Sequence, residues 1–245
     1  MKDKRILITG NRGFIGTYLE DRLRKRFPHN VYNTRDIKSG TNIFSKDNRF
    51  HDIVFHLASY TDVNESMVDP EEYLYNNIFS TLKIIQDNPD AKIILAGSVA
   101  GMNVKSPYGL SKYAQIRMGE MLHKNCTSLI FPNVFAHDDN GVVGNFINNS
   151  KATVCGDGKQ TRNFVYVGDI VEALIKAVEW EPKVYLLASP DPVKINELAE
   201  ATGKEIEYID ERDGDIYHSN SVNSTPNWEP QVNVIDYIKE QCQKN

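Results

Sequence analysis

The sequence has no apolar run approaching the roughly 18 residues that a membrane-spanning helix needs, so no membrane segment is expected. It has no basic tract, and 33 acidic side chains outnumber 28 basic ones, for a formal net charge of −5. An acidic chain without a basic stripe is a poor polyanion ligand, which argues against nucleic acid as a partner. Cysteine is scarce: Cys126, Cys155 and Cys242 are odd in number, far apart and without a CxxC pair. That excludes a disulfide scaffold and a cysteine-rich zinc site, and suits a reducing cytoplasm. There is no internal repeat and no low-complexity linker. The opening MKDKRILITG turns directly into a strand-like run, so no signal peptide is expected. The composition is that of an ordinary globular protein, 40% hydrophobic and 25% charged. Its 245 residues suffice for one large domain or two small ones.

Apolar runs alternate with helical spacing through the first 131 residues. Strands are expected at 6–9, 31–33, 53–57, 92–96 and 128–131, and helices at 14–26, 70–86 and 106–123. Ile53-Val-Phe-His-Leu57 is continuously apolar but for one histidine, as in a strand buried on both faces of a parallel sheet. Such alternation implies βαβ units and an α/β, Rossmann-type doubly wound parallel sheet. From Pro132 to Arg162 the chain is rich in Asn, Asp and Gly and is expected to be irregular. Helical spacing returns at 169–179, followed by a strand at 184–187. Short helices at 195–202 and 232–243 then flank a strand at 206–209. The expected organisation is a dinucleotide-binding domain over 1–131, with 164–188 returning to it. A small C-terminal lobe is made of 132–163 and 189–245.

The first strand runs into Thr9-Gly10-Asn11-Arg12-Gly13-Phe14-Ile15-Gly16, and a helix follows. Gly10 permits the turn, Gly13 lets backbone approach a pyrophosphate, and Gly16 lets the helix pack close to the sheet. The helix N-terminus offers free N–H groups and the positive end of its dipole to phosphate. Asp36 lies 20 residues beyond Gly16, where a carboxylate accepts hydrogen bonds from the adenosine ribose and repels a 2′-phosphate. That favours NAD. Arg12 and Arg35 are the residues that would hold the extra phosphate of NADP instead.

Tyr108 and Lys112 stand four apart on the long helix and share a face. An ammonium beside a phenol lowers the phenol's pKa, so Tyr108 is expected to exchange a proton near neutral pH. Ser98 follows a strand at the carboxyl edge of the sheet, placed to bond a substrate hydroxyl. His51 and His56 face opposite sides of a strand and read as structural, as does the thiol of Cys126.

Together these features resemble the extended short-chain dehydrogenase/reductase family, and within it the NAD-dependent nucleotide-sugar epimerases and dehydratases. The likeness runs through TGNRGFIG at 9–16, Asn42-Ile43, VFHLAS at 54–59, PEEYLYNNIFSTL at 70–82 and SPYGLSK at 106–112. It continues through Pro132-Asn133-Val134, GDGKQTRNFVYVGDI at 156–170, Arg212 to Asp215 and Asn227 to Pro230. Residue by residue, the resemblance implies catalytic roles for Ser98, Tyr108 and Lys112. It implies cofactor contacts from Gly10, Asn11, Arg12, Gly13, Phe14, Ile15, Gly16, Asp36, Asn42 and Ile43. Leu57, Ala58, Ser59, Asn77, Tyr108, Lys112 and Pro132 complete that set. Substrate contacts are implied at Ser98, Asn133, Arg162, Arg212 and Asp215, the two arginines holding the diphosphate of a nucleoside-diphosphate sugar. Seen alone, both arginines read as solvated surface charge. The C-terminal lobe is then a substrate-binding lobe. The resemblance also implies a homodimer through the helices at 70–86 and 106–123.

In that family the tyrosine takes a proton from a sugar hydroxyl while a hydride passes to the nicotinamide. Dehydratases and decarboxylases carry an acid shortly after the serine, whereas Val99-Ala100-Gly101 has none. The GDP-fucose synthase branch, an epimerase-reductase using NADPH, shares the look of Asn11-Arg12-Gly13 and Thr34-Arg35-Asp36. It relies on a cysteine absent here, although His137 follows Asn133. A UDP-hexose 4-epimerase fits best. Three departures bear on the substrate: Ser98 and Tyr108 are only ten residues apart, Ile130 stands where arginine is common, and Asn163 where aspartate is common. A non-catalytic NAD(P)-binding regulator is the alternative of another class, and it would not need Tyr108 and Lys112.

Overall fold

A computed structural model describes residues 1–45, 49–210 and 221–244. The chain divides into two compact units, Met1–Phe131 with Val171–Tyr185, and Pro132–Ile170 with Leu186–Asn245.

The first unit is built on β1 (Arg5–Thr9), β2 (Val31–Arg35), β3 (Ile53–His56), β4 (Lys92–Ser98) and β5 (Cys126–Phe131). They pair in the order β5-β4-β3-β1-β2, every pair parallel, and the strand Val184–Leu186 adds beyond β5. All four residues of β3 are buried, as its apolar run requires. The strand order reverses between β1 and β3, so the carboxyl ends of these two strands mark the switch point where open α/β sheets bind ligands.

Helix α1 (Phe14–Arg26) buries Gly16, Leu19 and Leu23, and ends in Arg24, Lys25 and Arg26, which complement its C-terminal dipole. The helix expected over 70–86 is present with an interruption. Helix α2 (Val63–Val68) precedes it, then α3 (Pro70–Leu74) and α4 (Ser80–Asp87) run on either side of a π turn at Tyr75–Phe79. Asp69 caps α3 through Glu72 N at 3.1 Å, with Pro70 in the first turn. The sequence reading missed α2, although Asp62-x-x-Glu65 is a capping signature and Asp62 does bond Glu65 N at 2.9 Å. Helix α5 (Pro107–Leu122) starts at Ser106, whose hydroxyl accepts from Gly109 N at 3.0 Å.

The stretch expected to be irregular, 132–162, is structured. It holds β6 (Asn133–Phe135), α6 (Val142–Asn148), β7 (Ala152–Cys155) and β8 (Thr161–Arg162). These elements are too short to show a period, and polar side chains hold their ends. The Asp139 carboxylate accepts from the N–H groups of Ala136, Gly141 and Gly144 at the start of α6. Then follow β9 (Phe164–Tyr166), α7 (Val167–Lys176), β10 (Val184–Leu186), β11 (Val193–Lys194), α8 (Ile195–Ala201), β12 (Ile206–Ile209) and α9 (Val234–Lys244).

Among the described residues the second unit contains three two-stranded pairs: β6 with β9 and β7 with β12, both parallel, and β8 with β11, antiparallel. Its core gathers Phe135, Phe146, Val154, Phe164, Leu198 and Ile238. The segment returning to the first unit, Val171–Tyr185, is shorter than the expected 164–188. Phe164–Ile170 stays with the second unit because β9 pairs with β6 and Asp169 holds the C-terminal segment. The Asp169 carbonyl accepts from Trp228 Nε1, and its carboxylate from Gln231 N and Val232 N. Among the described residues no helix is long and apolar enough to cross a membrane.

Candidate active site

At the end of β1 the chain enters the glycine loop. Gly10 has φ +72°, and a Cβ there would lie 2.7 Å from Ala58 N. A Cβ on Gly16 would lie 2.0 Å from Gly10 O. Packing therefore dictates both glycines. A Cβ on Gly13 would meet only Gly10 O, at 3.2 Å, so this face of the loop is open to a bulky ligand. Helix α1 starts at Gly13 with no side-chain cap and no acidic residue in its first turn, which leaves its dipole and N–H groups for an anion. The Asn11 amide donates to Glu20 Oε2 at 2.8 Å, tying the loop to α1.

Asp36, at the end of β2, stands beside this loop. Its carboxylate accepts from Arg12 N at 2.9 Å and Lys38 N at 2.8 Å. Arg35 is buried, and its guanidinium donates to the carbonyls of Ile43 and Ser45, both at 3.1 Å. The residue weighed as a 2′-phosphate ligand thus holds the Asn42-Ile43 loop, and the carboxylate beside the glycines disfavours NADP. Open loop, uncapped helix end and adjacent carboxylate together fit a dinucleotide without a 2′-phosphate. Past β3, Ala58 N donates to Thr9 Oγ1 at 3.2 Å, and Ser59 Oγ to Tyr60 O at 3.3 Å.

Asn77 lies in the π turn. Its amide nitrogen donates to Tyr60 O and Ser111 Oγ, and its oxygen accepts from Tyr60 N. Ser111 donates onward to Tyr108 O at 2.7 Å. Asn77 thereby braces α5 at the turn that carries Tyr108.

Ser98 closes β4, with its hydroxyl accepting from Ala100 N at 3.2 Å. It lies beside the Tyr108 phenol and favours the phenolate. Lys112 is buried, with Nζ 6.0 Å from the Tyr108 ring centroid and donating to Ala96 O at 3.1 Å. The expectation that Lys112 pulls the Tyr108 pKa down is corrected here. Burial raises the Tyr108 pKa, the neighbouring Ser98 hydroxyl opposes it only in part, and burial lowers Lys112 to about 7. Both charged forms lose solvation, and at this separation desolvation outweighs their attraction. Lys112 thus loses its proton far more easily than an ordinary lysine, and the phenolate–ammonium pair is reached from the neutral pair by moving one proton.

His56 is buried and neutral, its pKa lowered to about 3 by burial. It bonds Thr9 and Thr81, while His51 bonds Asn88. Both are structural, and among the described residues no His, Cys, Asp or Glu group is arranged to hold a metal ion. Cys126 is buried, with its thiol pushed up to about 11 by desolvation.

In the second unit, Pro132 is buried and Asn133 opens β6, with its amide on Asn163 O at 3.2 Å. Arg162, half-buried in β8, donates to Thr161 O at 2.9 Å. Arg212 and Asp215 lie outside the described residues. Asn163 explains its departure from aspartate: its amide donates to Ser189 O and accepts from Ser221 N. A carboxylate could make only the second of these bonds. Ile130 is buried in β5. Sequence reasoning missed Thr9, Thr81, Ser111 and Gln115, buried polar residues that link the site's elements. Their only signal was a polar side chain on an otherwise apolar face.

The residues at the end of β1 suit a dinucleotide, and those at the end of β4 and on α5 suit the movement of a proton. The chain is similar to several known proteins. It is 28% identical to a UDP-glucose 4-epimerase of Mycolicibacterium smegmatis, over 71% of this chain and 72% of the relative. It is 27% identical to a UDP-N-acetyl-alpha-D-glucosaminuronate decarboxylase of Bacillus cytotoxicus, over 98% of this chain and 92% of that one. Its fold matches a UDP-N-acetylglucosamine 4-epimerase from Methanobrevibacter ruminantium M1, solved in complex with UDP-N-acetylmuramic acid. The TM-score there is 0.85 and the identity 26%, covering 99% of this chain and 98% of that one. A family model matches residues 6–188, well over half the length, and on that match the chain belongs to the NAD dependent epimerase/dehydratase family.

Proposed function

We propose that the protein is a nucleotide-sugar 4-epimerase that retains its NAD through the whole reaction. The Gly10–Gly16 loop takes the pyrophosphate, and Asp36 the adenosine ribose. NAD, when bound, would supply a reversible hydride acceptor for the sugar, so that no net oxidant would be needed. Tyr108 removes the proton from the sugar hydroxyl and later returns it. Lys112 supplies the positive charge that the buried phenolate needs. Ser98, beside the same phenol, orients the reacting hydroxyl. Arg162, with Arg212, suits a diphosphate, since a guanidinium fork matches phosphate oxygens.

One observation carries the epimerase reading. Within the Ser98–Tyr108–Lys112 group, Ser98 is followed directly by a turn, Val99–Gly101, with no ionisable side chain. That turn packs closely on α5: a Cβ on Gly101 would lie 2.9 Å from Tyr113 N. Epimerisation needs one acid–base group used twice, whereas elimination needs a second one. A UDP-sugar is supported by the likeness to the M. smegmatis and M. ruminantium epimerases. The nearly full-length likeness to the decarboxylase favours a second reading, decarboxylation of a UDP-hexuronate. We place a homodimer contact on the helices at 70–87 and 107–122, where Tyr75, Phe79, Tyr113 and Met121 are exposed.

The test is product identification by proton NMR, with UDP-glucose, UDP-N-acetylglucosamine and a UDP-hexuronate supplied separately and no dinucleotide added. The expected product is the 4-epimer of one of these sugars. A 4-keto product, loss of carbon dioxide, or turnover only with consumed NADPH would overturn the proposal.

A further inference from the structure

We infer that His56 is a positioning residue, which as its Nε2–H tautomer couples the strand carrying the glycine loop to the helix carrying Tyr108 and Lys112. Its catalytic consequence rests on the proposed function; the coupling itself does not.

His56 is 1% exposed at the end of β3. Its Nδ1 is 2.7 Å from Thr9 Oγ1, and its Nε2 is 3.0 Å from Thr81 Oγ1. Thr9 is the residue before Gly10, and its hydroxyl also accepts from Ala58 N at 3.2 Å. Thr81, in α4 just beyond the π turn, has its hydroxyl 2.9 Å from Asn77 O. Gln115 of α5 donates to both Thr81 Oγ1, at 2.6 Å, and Asn77 O, at 3.0 Å. Gln115 lies three residues past Lys112 on the same helix.

Proton accounting fixes the direction of this chain. If Thr81 donates to Asn77 O, its oxygen receives the Gln115 amide and the His56 Nε2–H. Then His56 Nδ1 is the acceptor, and the Thr9 hydroxyl donates to it. Every proton has an acceptor. With the other tautomer, Nδ1–H would donate to Thr9, and the Thr9 hydroxyl proton would have no acceptor among the described residues. A buried donor left unpaired is costly, so the first arrangement holds. Burial and the field of Lys112 both keep the ring neutral.

The imidazole is thus a rigid spacer of fixed polarity between Thr9 and Thr81. Cutting it frees α5 to shift against the glycine loop, and small misplacements of catalytic groups reduce turnover strongly. The separation of Tyr108 from the nucleotide loop is the quantity at stake, so kcat is expected to fall while binding holds.

The experiment has two arms. In 15N-histidine-labelled protein, His56 is expected to show a protonated Nε2 and an unprotonated Nδ1 between about pH 5 and 8. Thr81→Val is expected to lower kcat about tenfold, with the KM for the sugar and the Kd for NADH within about twofold, and Thr81→Ser to restore it. Should Thr81→Val fail to fold, His56→Asn serves instead, since it keeps an acceptor for Thr9 and loses the reach to Thr81. An Nδ1–H or doubly protonated ring in that pH range would overturn the inference, as would a Thr81→Val enzyme with undiminished kcat. If no nucleotide sugar is turned over, the proposed function fails and the tautomer alone decides this inference.

Discussion

The two units of the chain bury their elements by different means. In the first, strands such as β3 and β4 lie among apolar neighbours, and Leu7, Val54, Ile84, Ile93 and Leu95 form one cluster. Most of its stability comes from area removed from water. In the second, short elements of two to seven residues are held at their ends by polar side chains. Asp139 gathers three N–H groups, and Lys204 donates to the carbonyls of Phe146, Ile147 and Asn149. The comparison teaches that polar burial serves different ends in the two places. In the second unit it fixes the ends of elements, although burial also pushes the Asp139 pKa up. In the first, the buried Lys112 and Tyr108 pay desolvation to be ready for proton transfer.

The sharpest way to test that contrast is to remove the phenol. Tyr108→Phe is expected to lower kcat by about 10³-fold with the fold and NADH binding retained, checked by initial rates and fluorescence titration. An active phenylalanine variant would move the chemistry away from α5.

The two lysines give effects of opposite sign. Lys112 has a folded pKa of about 7 against an ordinary 10.5. Between those values the unfolded chain binds the extra proton, so stability rises with pH across that window, and the penalty is complete below about pH 7. Lys112→Met is therefore expected to stabilise the protein at pH 7, on the order of a few kcal/mol, while abolishing turnover. The gain should shrink as pH approaches 10.5. Lys204→Met should instead destabilise by about 2 kcal/mol, because three carbonyls at the end of α6 lose their donor. Thermal melts at pH 7 and pH 9.5 read both.

Smaller effects separate binding from chemistry. Arg162→Met is expected to raise the KM for the nucleotide sugar about tenfold with kcat and NADH affinity nearly unchanged, as loss of a phosphate contact would. Ser106→Ala should cost about 1 kcal/mol through the lost cap of α5, measured by urea unfolding.

The same contrast explains what the sequence could reveal. The glycine loop, Asp36 and Ser98 stand out because each sits where an apolar run ends, and Tyr108 and Lys112 because they stand four apart on one helix. The parallel sheet was legible because strands buried on both faces read as unbroken apolar runs. The helix and strands between Asn133 and Arg162 were hidden, since Asn, Asp and Gly cap and turn there as readily as they loop. The π turn and the Thr9–His56–Thr81–Gln115 chain were hidden for another reason: their partners are far apart in sequence. The sign of the Tyr108 shift needed burial, which spacing along a helix does not contain.

One measurement tests the central claim most directly. UDP-glucose deuterated at C4, or whichever UDP-sugar proves to be the substrate, is incubated with the enzyme alone, and the label is located by NMR. The account requires deuterium to remain at C4 in both epimers, because the hydride leaves that carbon and returns to it. Deuterium at C6, or released to solvent or to free dinucleotide, would contradict it.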